Sequence, residues 1–139
     1  MLFAGGICLA SAFAASGLSA LAGEALVGLA TLPTYLMLLL ICLAVMFMTE
    51  ATSNTATTAL LMPILAAAAI AAGVEPLLLM VPAAMSASCA FMLPVATAPN
   101  AVIYGTNRVA ISTMFREGLL INCVGAFVVS LGLWWLLPH

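Results

Sequence analysis

The chain has 139 residues, of which 67% are hydrophobic and 4% charged, with a net charge of −2. Soluble domains usually carry about a quarter charged residues, so a water-soluble globule is excluded and the composition is that of an integral membrane protein. The apolar stretches are continuous, without the alternation of barrel strands, so the spans are helices. Arg108 and Arg116, the only cations besides His139, form no basic patch for nucleic acid.

The apolar run at 2–21 is long enough to cross a hydrocarbon core of ~30 Å. It lacks the positive n-region of a signal peptide, and its Gly5-Gly6 pair suits close helix packing. Gly23-Glu24 marks an interface. Pro33 starts a new helix at its first turn, where proline is tolerated, and that helix runs to about 48. A polar run follows, Thr49-Glu50-Ala51-Thr52-Ser53-Asn54-Thr55-Ala56-Thr57-Thr58, and a second apolar helix continues to about 72.

Gly73-Val74-Glu75-Pro76 is a turn that holds both a helix stop and a helix start. Residues 77–90 read as helix with a kink at Pro82. No regular helix survives Pro94 and Pro99 so close together, so 91–100 is a second break, followed by a short helical piece at 101–104. Gly105-Thr106-Asn107-Arg108 is an aqueous turn. Residues 111–117 lead into the last span, 118–137, whose Trp134 and Trp135 favour the membrane interface.

Cys8, Cys42, Cys89 and Cys123 lie singly in apolar segments and read as small buried hydrophobes rather than metal or disulfide frameworks. No nucleophile–base pair or metal-ligand cluster is visible, which disfavours an enzyme. An isolated threonine such as Thr31 or Thr113 is interhelical hydrogen-bond glue worth about 0.6 kcal/mol. The clustered run at 49–58 is different, because bare loop cannot face lipid: each unsatisfied N–H or C=O there costs several kcal/mol. Glu50 has two readings, a functional carboxylate or hydrogen-bonded scaffolding.

Two topologies fit. The flanking segments 34–48 and 56–72 are at or below the roughly 17-residue minimum for a span, which favours a re-entrant hairpin with 49–58 at its tip. If both cross fully, the polar run is an ordinary loop. In either case both arginines share one loop, which the positive-inside rule makes cytoplasmic, and Glu24, Glu75 and the C-terminus lie outside under the hairpin topology.

Broken helices at the bilayer midplane offer helix N-termini to anions and unwound carbonyls to sodium or protons. Asn54-Thr55 would open the second hairpin arm and Pro99-Asn100 the short helix after the second break, both with residues suited to capping and anion binding.

The run at 49–57 resembles the second Ser-Asn-Thr signature of the divalent anion/sodium symporter family. Ser88-Cys89-Ala90-Phe91-Met92-Leu93-Pro94-Val95-Ala96-Thr97-Ala98-Pro99-Asn100 is similar to the Thr-Pro segment of that family's following broken helix, except that Ala98 stands where the family usually has proline. The resemblance covers essentially the whole chain. It implies an all-α integral membrane fold, with transmembrane helices, a re-entrant helical hairpin at 33–73 and a broken helix at 76–105. That is one half of an inverted-repeat transporter.

By that resemblance, Ser53, Asn54 and Thr55 would bind a substrate carboxylate with Thr97 beside them. Thr49, Thr52, Asn54 and the Ala96 carbonyl would surround a sodium ion, the coupling ion, with no other cofactor. Only one signature of each kind is present, so the resemblance is to the C-terminal repeat alone, and the expectation is a fragment, a truncated gene product or half of a split protein. The missing N-terminal repeat would be its partner, and the complete transporter would be a homodimer, multi-pass in the cell membrane, the inner membrane of a bacterium. The expected function is sodium-coupled symport of small divalent anions, C4-dicarboxylates foremost. The alternatives are a sulfate carrier or sodium-independent exchanger of the same fold, or a non-transporting membrane subunit.

Overall fold

The structure is a computed structural model that describes residues 32–136 and, before them, residues 12 and 15–17. Apart from residues 12 and 15–17, the span expected at 2–21, with Gly5 and Gly6, lies outside what it describes, as do the interfacial Glu24 and His139. Residues 32–136 form five helices: α1 Thr34–Glu50, α2 Asn54–Ala72, α3 Leu77–Ser86, α4 Ala98–Gly105 and α5 Ile111–Leu136.

Pro33 stands at the N-cap of α1, and its carbonyl accepts from the N–H groups of Leu36 and Met37. Apolar residues surround α1 on all sides, so its buried positions are chosen by its neighbours and not by amphipathic patterning. Met37, Ile41 and Val45 pack on Ala69 of α2 and on Leu79, Ala83 and Ala87 of α3 and its end. Cys42 and Met46 form another stripe that meets Ala126 of α5. Alanines at these crossings let helix axes approach closely, the packing that works where lipid is as apolar as leucine. The rings of Tyr35 and Phe127 add an edge-to-face contact between α1 and α5, with centroids 6.2 Å apart.

Residues 51–53 turn the chain between α1 and α2. α2 ends at Gly73, whose φ of 68° places it in the left-handed region. The Val74 N–H reaches the Ala69 carbonyl and the Gly73 N–H reaches that of Ile70, a Schellman closure. α3 is the short helix packed against both α1 and α2. It stops at Ser86, before the end at 90 that its composition suggests. Past Ser86 the Ser88 and Cys89 N–H groups turn to the Met85 and Ser86 carbonyls, and the N–H groups of Phe91, Met92 and Leu93 further on are held by the Glu50 carboxylate.

α4 starts at Ala98 rather than 101, with Pro99 in its first turn and Thr97 as its cap. α5 starts at Ile111 and not at 118, so the stretch expected to lead into the last span is already helix. Arg116 and Glu117 are exposed within it, and charged residues with flexible stems are compatible with a helix end that reaches the interface. Its 26 residues span about 39 Å, more than the ~30 Å core.

α2 and α5 are each long and apolar enough to cross a membrane, whereas α1 and α3 are shorter apolar helices. Leu120, Val124, Val128, Leu131 and Trp135 of α5 are exposed, an apolar surface suited to lipid or to another membrane segment.

The left-handed turn at Gly73 yields a direct check. A Cβ there would meet nothing within 4 Å, so the cost of Gly73→Ala is conformational alone, about 1–2 kcal/mol. The expected outcome is a lower unfolding temperature in detergent for Gly73→Ala and a smaller drop for Gly73→Asn, since asparagine tolerates this conformation better.

Candidate functional site

The polar run begins inside α1. Thr49 and Glu50 are its last residues, and both are buried, at 0% and 3% exposure. The Thr49 hydroxyl lies 2.8 Å from Asn54 Oδ1 and 3.0 Å from the Ala87 carbonyl oxygen, and donates to either. The end of α1, the start of α2 and the end of α3 therefore meet at one hydroxyl. Thr52 donates to the Met48 carbonyl at 2.9 Å and lies 2.5 Å from the hydroxyl of Thr57. Thr58 donates to the Asn54 carbonyl at 2.9 Å.

These hydroxyls donate to protein acceptors, and a donating hydroxyl keeps its lone pairs. Thr49, Thr52 and Asn54 thus combine fixed geometry with oxygen that can still face a cation. Of the three, Thr49 and Asn54 are in direct contact; Thr52 hydrogen-bonds to Met48 and Thr57 instead.

Ser53 is the N-cap of α2, yet its side chain makes no capping hydrogen bond. Ser53 and Thr55 are both exposed, and neither hydroxyl has a partner among the described residues. The first carbonyl-to-amide bond of α2 runs from Thr57 N–H to Ser53, so the N–H groups ahead of it are open, as at any helix start. Free hydroxyl donors beside open N–H groups and the positive end of the helix dipole are suited to a carboxylate.

The break at 87–97 is held differently. Glu50 Oε1 accepts from Phe91 N–H at 2.7 Å and Met92 N–H at 2.9 Å, and Oε2 accepts from Leu93 N–H at 2.9 Å. Asn122 of α5 adds an amide N–H to Oε1 at 2.7 Å. Every partner is a donor, which suits the acceptor-only carboxylate. Asn100, in the first turn of α4, covers the other polarity, its Nδ2 donating to the carbonyls of Ala90 at 3.1 Å and Leu93 at 3.0 Å.

Thr97 accepts from Asn100 N–H at 3.4 Å and so caps α4, retaining its own proton for another acceptor. Ala96 is buried in the turn that precedes it, its N–H on the Leu93 carbonyl at 3.2 Å. Among the described residues no hydrogen bond joins Ala96 or Thr97 to the 49–58 run directly; Glu50 makes the connection.

Of the two readings of Glu50, the hydrogen-bonded scaffold is the one seen. Asn100 appeared in the sequence as a helix start suited to capping and anion binding, Gly118 only as the start of the last span, and Asn122 not at all. For Asn122 a signal existed, since it is the sole asparagine in an otherwise apolar stretch of the last helix, and polar residues within membrane segments are seldom idle. Nothing local marks Gly118, which is buried where an added Cβ would strike the Phe91 carbonyl oxygen and the Met92 Cα.

Glu50→Gln sets an amide N–H against the Leu93 N–H and removes the charge from the remaining bonds. The expected loss is about 1.5–3 kcal/mol, read as a lower unfolding temperature in detergent, with Glu50→Ala lower still and the exposed Arg116→Ala unchanged. Wild-type thermal stability in Glu50→Ala would show that the break holds its shape without the carboxylate.

Residues 1–138 match the sodium:sulfate symporter transmembrane region. The chain is 44% identical over 138 residues to the sodium-dependent dicarboxylate transporter SdcS of Staphylococcus saprophyticus, covering 99% of this chain and 27% of that protein. The SdcS transporter of Staphylococcus aureus strain MRSA252 is also 44% identical over 138 residues, with 26% of its length covered. The chain thus spans about a quarter of the length of these relatives, both of which are named as transporters. With its apolar helices and a match that runs almost from end to end, the chain is an integral membrane protein of the sodium:sulfate symporter family.

Proposed function

We propose that the chain acts as the C-terminal repeat of a sodium-coupled symporter of small divalent anions, with C4-dicarboxylates such as succinate as the substrate class. The observation that carries this reading is the 44% identity, over 99% of the chain, to transporters named for sodium and dicarboxylate. That name also favours a dicarboxylate over the sulfate of the family's description. The polar run then forms the tip of a re-entrant hairpin, α1 and α2 being its arms. An N-terminal repeat supplies the other half of the site, and the complete transporter works as a homodimer.

In this mechanism sodium binds first, to the hydroxyls of Thr49 and Thr52, to Asn54 Oδ1 and to the Ala96 carbonyl. The Thr49–Asn54 hydrogen bond supports the assignment because it holds two of these oxygens together. Sodium then neutralises the tip and orders it, and the substrate carboxylate docks on Ser53, Asn54 and Thr55 with Thr97 beside them. The exposed hydroxyls of Ser53 and Thr55, without partners among the described residues, support that role. Alternating access follows when the loaded unit moves against its scaffold.

Sodium and dianion share Asn54, so each must strengthen binding of the other. In the complete transporter in liposomes, succinate uptake is expected to require sodium. Thr55→Ala should weaken succinate binding about tenfold to a hundredfold, by loss of a donor to a charged group, whereas Thr113→Ala should leave it unchanged. Sodium-independent uptake would overturn symport, and full uptake by Thr55→Ala at sub-saturating succinate would remove Thr55 from the site.

Topology is checked separately with single cysteines in a background free of native ones. Ala51→Cys at the hairpin tip should react poorly with bulky impermeant thiol reagents from either side, while Val74→Cys and Asn107→Cys label from opposite faces. Ready labelling at 51 from the cytoplasmic side would make the polar run an ordinary loop.

A further inference from the structure

Gly118 and Asn122 lie one turn apart on α5 and face the same target. Gly118 is buried against the backbone of Phe91 and Met92, where no larger side chain fits. Asn122, fully buried, donates to the same Glu50 oxygen that holds the N–H groups of those two residues. Three segments distant in sequence therefore share one junction: the end of α1, the break before α4, and the middle of α5. Asn122 Oδ1 has no partner among the described residues, so the amide's hydrogen bonding is spent on Glu50 alone.

We propose that Gly118 and Asn122 are positioning residues for the ion site. Through Glu50 they fix the distance between Thr49, Thr52 and Asn54 on one side and Ala96 and Thr97 on the other. The last helix thereby sets sodium affinity without touching sodium. This rests on the symporter reading above.

The geometry supports transmission in a defined direction. Glu50 adjoins Thr49 in the last turn of α1, so a shift of its carboxylate moves that turn. Leu93, held by Glu50 through its N–H, is held through its carbonyl by Ala96 N–H and Asn100. A loosened Glu50 thus frees the turn that carries the Ala96 carbonyl. The ion's oxygens are divided between the two segments, whereas three of the four groups assigned to the carboxylate, Ser53, Asn54 and Thr55, lie on one, so a changed spacing falls mainly on sodium.

The test is uptake by the complete transporter in liposomes, measured against sodium at saturating succinate and against succinate at saturating sodium. Asn122→Leu is expected to raise the half-saturating sodium concentration roughly tenfold, the lower end for loss of a hydrogen bond to a charge. Succinate half-saturation at high sodium should stay within about twofold. Leucine also removes the unpaired Oδ1, so unfolding temperature should change little while sodium affinity falls, a split that a purely structural role would not produce.

Gly118→Ala should shift sodium in the same sense, and the exposed Val124→Ala should shift nothing. In a Glu50→Gln background Asn122→Leu should add little, because the two act through one junction. If Asn122→Leu fails to assemble, the smaller and polar Asn122→Ser carries the same expectation. Unshifted sodium dependence in the Asn122 variant, or full additivity with Glu50→Gln, would overturn this inference while leaving symport intact. Sodium-independent uptake by the unmodified transporter would overturn the symporter reading itself, and this inference with it.

Discussion

The rest of the structure depends on how an unwound stretch of backbone is kept hydrogen-bonded in apolar surroundings. Each open N–H or C=O in hydrocarbon costs several kcal/mol, and the break between α3 and α4 exposes several of each. Glu50 takes three consecutive N–H groups, and Asn100 takes two carbonyls. Side chains thus cover groups of both polarities in the irregular stretch. α3 ends at Ser86 in tight turns, a few residues before the amides that Glu50 takes, and α4 starts where Thr97 can cap it.

This arrangement separates rigid parts from open ones. Glu50, Asn100 and Asn122 are buried and committed to protein partners. Ser53 and Thr55 are exposed, with hydroxyls that have no partner among the described residues. Thr49 stands between the two groups, buried yet donating to Asn54 at the start of α2. The proposed transport function calls for such a division, since a cargo must be released while its ligands return to the same geometry. Side chains already bonded to protein hold the frame, and those at its edge without a partner among the described residues are open to a ligand or to water.

Much of the frame was legible locally. The Pro94 and Pro99 pair located the break, Gly73 marked the end of α2, and Asn54 marked its start, because helix stops, starts and interruptions depend on residues within a turn or two. The family resemblance was legible in the same way, as two contiguous motifs. The extents were less so. The end of α3 at Ser86 and the start of α5 at Ile111 both departed from expectation. At the first, tight turns at Ser88 and Cys89 lead into amides held by a distant carboxylate, and the second is a helix that continues through charged residues because they are exposed.

Sequence by itself determined that this is an apolar helical chain with a polar run and a proline-broken segment, since solvent preference and backbone restriction are properties of single residues and their near neighbours. Only the tertiary structure decided that Glu50 closes the break and that Asn122, 72 residues away, holds Glu50. Gly118 belongs to the same class, a glycine whose need appears only when the Phe91–Met92 backbone lies against it. No periodicity reports such pairings, because a hydrogen bond between remote segments depends on how whole helices pack, and that packing is set by the sum of many small contacts along α1, α3 and α5.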